Sequence, residues 1–142
     1  MAPSTETPNV PSILVVDDEP VVRGAVIRIL GGWGFRVHEA ETAEEAMDVL
    51  TSFAGERPQL VIIDIILPGD NGVKLAQQIR EEFPSQRLLF MSAYTQDVLW
   101  SEGLRDSTEA FMAKPFTSAE LIRKVEEALS RASPSALQSG SG

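Results

Sequence analysis

Apolar and polar positions follow two alternating rhythms along this chain. Ile13-Leu14-Val15-Val16, the run from Val61 to Leu67 and Arg87-Leu88-Leu89-Phe90-Met91 are short, densely apolar stretches. They read as strands buried on both faces. Phe35 to Glu39 and Ala110 to Ala113 predict two further short strands. Between these runs, apolar residues recur at helical spacing. Val21, Val22, Ala25, Val26, Ile29 and Leu30 predict a first helix, opened by Pro20 and closed by Gly31-Gly32, with Trp33 packed into the core near its end. Ala46, Met47, Leu50 and Phe53 predict a second helix, opened by the capping box Thr42-Ala43-Glu44-Glu45. Val73, Leu75, Ala76, Ile79 and Phe83 predict a third, closed by Pro84. A weaker pattern over Gln96 to Leu104 predicts a fourth. The last helix carries Leu121, Ile122, Val125, Ala128 and Leu129 behind a second capping box, Thr117-Ser118-Ala119-Glu120.

Five strand–helix units in strict alternation predict an α/β fold with a doubly wound parallel sheet and helices on both faces. Residues 1–11, rich in Pro, Ser and Thr, read as a flexible lead-in, and residues 133–142 as a flexible tail or linker. The folded unit between them, 12–132, suits a single domain of a 142-residue chain.

Charge and composition narrow the function. Twelve basic residues against twenty-one acidic leave a net charge of −9. That disfavours direct binding to nucleic acid or to an anionic membrane. With no cysteine there are no disulfides and no thiolate chemistry. No apolar run approaches the roughly 20 residues of a membrane span, and the N-terminus lacks a signal-peptide pattern. A cytoplasmic location is expected.

The chemistry lies where the strands end. In open α/β sheets, ligands and functional groups collect at the carboxyl ends of the strands. Strand one runs into Asp17-Asp18-Glu19, strand three into Asp64, strand four into Ser92 and strand five into Lys114. Pro68, Gly69 and Gly72 stop regular structure after Asp64 and force a turn. Taken singly, each has a bland explanation: a solvated acidic loop, a surface lysine, a turn serine, a core phenylalanine at Phe111. His38, the only histidine, has no second His or Cys beside it and fits an exposed strand position. Taken together, three carboxylates, a hydroxyl and an ammonium converge on one edge. Clustered carboxylates repel unless a cation is present. An oxygen-only cluster suits Mg²⁺, which keeps several waters and bridges to phosphoryl oxygens. A carboxylate can attack phosphorus and form an acyl phosphate, with Lys114 and Ser92 holding the other oxygens.

These pieces resemble the receiver domain of two-component response regulators. The matching residues are Val15-Val16-Asp17-Asp18-Glu19, Asp64 with Pro68 and Gly72, Met91-Ser92-Ala93, and Phe111 with Lys114-Pro115-Phe116. The resemblance implies a flavodoxin-like (βα)5 fold with strand order 2-1-3-4-5. It implies that Asp64 is the phospho-acceptor, with Lys114 and Ser92 as its partners in the chemistry. It implies a Mg²⁺ site, open to Mn²⁺ as a substitute, made by Asp17, Asp18, Asp64 and the backbone carbonyl of Ile66. It makes Ser92 and Phe111 the switch pair, with Ala93 the small residue that leaves room for the ring, and Lys114-Pro115 a cis peptide bond. The surface of the fourth helix, fifth strand and fifth helix becomes the output face. The partners implied are a sensor histidine kinase as phosphodonor, a histidine phosphotransfer protein or a fused kinase or output domain, and a homodimer through that face. The stretch from Phe90 to Phe116 looks most like receivers attached to hybrid histidine kinases. Such a domain is a signalling module rather than an enzyme, promoting its own phosphorylation and a slow dephosphorylation. The slowness is expected from Ile66 and Tyr94, which occupy the positions flanking the path of a hydrolytic water. Neither is an amide or a carboxylate that could orient it.

Two other classes share parts of this pattern. Mg²⁺-dependent phosphohydrolases of the haloacid dehalogenase type also use an Asp nucleophile, but carry a second acid two residues on, where this chain has Ile66. A flavin-type binding module or degenerate receiver would not need the intact acid trio with Ser92 and Lys114.

Overall fold

A computed structural model describes residues 11–52, 57–67, 70–92 and 110–130 of the chain. Five parallel strands make the sheet: β1 Ser12–Val16, β2 Arg36–Ala40, β3 Leu60–Asp64, β4 Arg87–Ser92 and β5 Ala110–Ala113. Their spatial order is β2-β1-β3-β4-β5, the order expected. The helices are α1 Pro20–Gly32, α2 Ala43–Ser52, α3 Gly72–Glu82 and a C-terminal helix, Ser118–Ser130. The expected fourth helix over 96–104 and Phe53 lie outside the described residues, as do residues 1–10 and 131–142.

Strand alternation divides the core in two. Leu14 and Val16, Val61 and Ile63, and Leu88 and Phe90 face α2 and α3 with Leu50, Leu75 and Ile79. Ile13 and Val15, Leu60 and Ile62, and Leu89 and Met91 face α1 and the C-terminal helix with Val26, Leu30, Leu121 and Val125. β3 is buried at all five positions. Burial on both faces is why these strands read as continuous apolar runs rather than as alternating ones.

The caps differ from expectation in instructive ways. α1 has Gly31 and Gly32 as its last two residues, where the pattern closes it. It ends in a Schellman motif, in which Phe35 N–H donates to Leu30 O (3.2 Å) and Gly34 N–H to Gly31 O (3.0 Å). The left-handed residue that this motif needs is Gly34, at φ 95°. That turn carries Trp33 outward, 62% exposed rather than packed in the core. β2 begins one residue later than expected, and His38 is half-buried rather than exposed. At α2, Thr42 Oγ1 accepts from Glu45 N–H at 3.1 Å, but Glu45 reaches back to the N–H of Glu41 rather than that of Thr42. Thr117 and Glu120 form the reciprocal box in full, at 3.1 and 2.8 Å.

The turn after β3 is also more ordered than a pattern of breakers implies. Ile66–Leu67 pairs antiparallel with Asp70–Asn71. Asn71 then caps α3, its Oδ1 accepting from Lys74 N–H at 2.8 Å. Pro68 and Gly69 lie outside the described residues.

Candidate functional site

Three strand ends bring four carboxylates and one ammonium together. β1 stops at Val16 because Asp17 and Asp18 follow, and Glu19 and Pro20 start α1 at once. Asp17 is held on its own chain: its N–H donates to Ala40 O (3.1 Å) and its Oδ1 accepts from Glu19 N–H (2.9 Å). Asp64 ends β3, beside Met91 in the register with β4. Its Oδ1 accepts from Ile66 N–H at 3.0 Å, which turns the carboxylate toward the loop. β5 runs directly into Lys114, whose N–H donates to Ser92 O at 2.8 Å, and the Lys114-Pro115 bond is cis.

Lys114 reaches across this edge. Its Nζ lies 2.7 Å from Asp64 Oδ2, 3.3 Å from Asp17 Oδ2 and 3.2 Å from Glu19 Oε1. Asp17 is fully buried and Asp64 nearly so, whereas Asp18 is exposed. Among the described residues, Asp17, Asp18 and Asp64 are a group that could hold a metal, with one oxygen of each within 4.8 Å of the others. All three donors are carboxylate oxygens, and the side of Asp18 is open to water. That donor set fits a hard cation that retains part of its hydration shell.

The electrostatics fit as well. Burial raises the Asp17 carboxyl above its ordinary value, against the opposing N–H of Glu19 and the charge of Lys114. Burial by itself would lower the Lys114 ammonium. The hydrogen bond and charge of Asp64, then Asp17 and Glu19, outweigh it and hold the ammonium above its ordinary value. Lys114 can offset only one negative charge of the group, so a divalent cation would relieve much of what remains.

Ser92 is fully buried at the end of β4, paired in register with Ala113. Phe111 is half-buried on β5, opposite Phe90 in register and packed on the core that faces α2 and α3. Ile66 is about half exposed, at 51%. Ala93 and Tyr94 lie outside the described residues.

Comparison with known proteins bears on this geometry directly. The family model of the response regulator receiver domain matches residues 13–126. The chain belongs to that family. The receiver domain is 30% identical over 128 residues to the sensor kinase CckA of Brucella abortus, covering 90% of this chain and 13% of that protein. It is 35% identical over 121 residues to the aerobic respiration control protein ArcA of Escherichia coli, covering 85% and 49%. The crystal structure of the receiver domain of NtrX from Brucella abortus matches with a TM-score of 0.75 and 31% identity, over 84% of this chain and 99% of that one. The chain thus spans about half or less of the length of these curated relatives.

Three residues join the site that strand-end reasoning passed over. Glu19 reads in sequence only as part of the acidic run, yet it pairs with Lys114; its place next to two site acids is the available signal. Arg23, one helical turn later, donates from Nη1 to the carbonyl of Asp17 at 2.7 Å. Nothing in a linear pattern separates it from an ordinary surface arginine. The third is Gly72, expected as a chain breaker. It is the first residue of α3, and its N–H donates to Ile65 O at 2.6 Å. A Cβ there would collide with the carbonyl oxygen of Asp64 and come within 2.7 Å of Ile63 Cγ2. Glycine is needed for close approach of helix to strand, not for an unusual dihedral. Gly72→Ala is therefore expected to destabilise the domain by about 1–3 kcal/mol, the range for overpacking a tight contact. Because the clash is with the Asp64 main chain, any Asp64 chemistry should weaken too. Urea unfolding checks the first effect, and an unchanged midpoint would refute it.

Among the described residues no helix is long and apolar enough to cross a membrane.

Proposed function

We propose that this receiver domain accepts a phosphoryl group on Asp64 from a histidine kinase, with Mg²⁺ bound by Asp17, Asp18, Asp64 and the Ile66 carbonyl. The observation that carries the reading is the 2.7 Å contact of Lys114 Nζ with Asp64 Oδ2 beside two further acids. An Asp64 oxygen attacks phosphorus. The bond from phosphorus to the donor histidine nitrogen breaks, and that nitrogen keeps the electron pair. The product is an acyl phosphate. Mg²⁺, or Mn²⁺ in its place, held by the three acids and the Ile66 carbonyl, would supply positive charge against the phosphoryl oxygens. Lys114 is already oriented on Asp64 and needs little movement to pair with the new anion. In this reading the domain spans 12–132, residues 1–11 and 133–142 are flanking segments, and the setting is cytoplasmic. A histidine phosphotransfer protein, a fused kinase or output domain, or a second copy of the chain would receive the signal.

The test is intact-mass measurement after incubation with acetyl phosphate, with Mg²⁺ or with EDTA. One stoichiometric, base-labile and hydroxylamine-sensitive adduct that forms only with the metal is expected. Continuous turnover of the donor would instead favour a phosphohydrolase of the haloacid dehalogenase type. Absence of any adduct would favour a binding module.

Phosphorylation adds about −1.5 to −2 units of charge and new acceptor oxygens. In our reading Ser92 turns to donate to them, and Phe111 moves inward beside Ala93. The face built on β5 and the C-terminal helix then changes its affinity for a partner. Beryllofluoride is expected to shift the amide resonances of residues 93–116. Spectra that stay the same across that stretch in beryllofluoride-bound protein would rule the switch out.

A further inference from the structure

The acid pair is held in place by more than its own loop. The Arg23 side chain is 12% exposed, and its guanidinium makes three contacts in different directions. Nη1 donates to the main-chain carbonyl of Asp17 at 2.7 Å, Nε to Glu39 Oε1 at 2.8 Å and Nη2 to Glu41 Oε2 at 3.3 Å. Glu39 belongs to β2 and Glu41 follows it, and both are more than half exposed. Arg23 is itself tied down, its N–H donating to Glu19 O at 2.9 Å.

The Asp17 carbonyl belongs to the planar peptide that leads into Asp18. Holding that oxygen restrains the plane, and with it the positions of Asp18 N and Cα from which the side chain leaves. The preceding peptide is fixed on its other side by the Asp17 N–H to Ala40 O bond. Both peptides that flank Asp17 are thus pinned, one by the sheet and one by Arg23. The two exposed glutamates hold the guanidinium in the orientation that reaches the carbonyl.

We infer that Arg23 is a positioning residue for the metal-binding acid pair, clamping the Asp17–Asp18 peptide so that both carboxylates face one cation. The inference rests on the reading that Asp17 and Asp18 hold Mg²⁺, and goes beyond it by assigning the group that orients them. Outer-shell partners of this kind typically change metal affinity by about 10- to 100-fold when removed. A lysine at this position would supply charge and three N–H donors on a single nitrogen, but not the rigid fork that spans three separated acceptors.

The experiment is calorimetric titration of Mg²⁺ into the full chain and three variants, with thermal melts in EDTA and amide spectra of Asp17, Asp18 and Glu19. Arg23→Met is expected to bind Mg²⁺ at least about tenfold more weakly, and Arg23→Lys to recover part of the loss. Glu39→Gln with Glu41→Gln removes the charge of the ion pairs but keeps an amide oxygen to accept from the guanidinium at each position, which leaves it aimed at the carbonyl; its affinity is expected to stay near wild type while its melting point falls. A role limited to riveting α1 to β2 would move the melting points and leave the affinities of the folded variants alone. Arg23→Met and Arg23→Lys binding as wild type does would overturn the inference. So would a double glutamine variant that loses as much affinity as Arg23→Met. If Arg23→Met is too unstable to titrate, Arg23→Lys decides, and wild-type affinity there counts against the clamp. A wild-type chain that takes up no Mg²⁺ overturns the metal reading itself, and this inference with it.

Discussion

Exchange of Asp64 for Asn is expected to remove the phosphate adduct completely, from one per chain to none. In the proposed reaction the carboxylate is the attacking group, and a neutral amide of nearly the same volume is not a nucleophile toward phosphorus. The substitution keeps the shape of the β3 end. It also keeps an oxygen that can accept from Ile66 N–H, the 3.0 Å bond that orients this side chain. What it removes is the charge and the second acceptor: with the oxygen kept on Ile66 N–H, an amide nitrogen takes the place of Oδ2 and cannot accept from Lys114, so the 2.7 Å pair is lost. Lys114 retains Asp17 and Glu19 as partners, which should keep it folded against this edge. The variant therefore separates chemistry from folding. Its far-ultraviolet spectrum and cooperative melt should resemble those of the wild type while intact mass with acetyl phosphate and Mg²⁺ stays unmodified. An adduct of undiminished yield in Asp64→Asn would place the acceptor elsewhere and defeat the functional reading.

The second large effect concerns the lifetime of the phosphorylated state. Hydrolysis of an acyl phosphate requires a water in line with phosphorus on the side opposite Asp64. Ile66 stands two residues past the acceptor and is about half exposed at the site edge. Its side chain can neither donate nor accept a hydrogen bond. Tyr94, two residues past Ser92, is the second flanking position by sequence, and it is bulky and uncharged. Neither can orient a water as an amide or a carboxylate would. Losing one such positioning contact costs a few kcal/mol of transition-state stabilisation, roughly a hundredfold in rate. Slow self-dephosphorylation is therefore expected, suited to a stable signal or to onward transfer. Ile66→Asn combined with Tyr94→Glu should shorten the half-life by about that factor. The measurement is decay of phosphorylated protein after donor removal. A wild-type half-life of seconds, or a double variant that decays no faster, would show that these side chains do not guard the phosphoryl group.

Much of the molecule was legible before folding because its signals are local. The strands around Ile13, Ile62 and Leu89 are buried on both faces, so each appears as an unbroken apolar run that no surface segment would carry. The C-terminal helix was announced by a capping box that spans four residues, and the geometry of such a box does not depend on the rest of the fold. The strand ends were legible for a related reason. A buried strand has to meet water at its carboxyl edge, so Asp17, Asp64, Ser92 and Lys114 stand out as polar residues directly after apolar runs. Even the strand order followed from the family resemblance and matches the sheet.

What the linear pattern could not supply is direction and distance. Gly31 and Gly32 close α1 as their local signal implies, but which glycine takes the left-handed conformation in the turn that follows is not written in that signal: it is Gly34. Trp33 is apolar by composition, but that turn directs it to solvent. Gly72 reads as a chain breaker because its packing partner is not visible in one dimension: the Asp64 carbonyl it lies against comes from the preceding strand. The sequence by itself determined the five-strand alternation, the two-sided core and the acids, hydroxyl and lysine at the strand ends, since these depend on residue type and short spacing. Only the tertiary structure decided that Lys114 lies 2.7 Å from Asp64, that Glu19 shares it and that Arg23 grips the Asp17 carbonyl. Those contacts join residues from separate elements, and their geometry is set by how the sheet twists and the helices pack, which no local signal records.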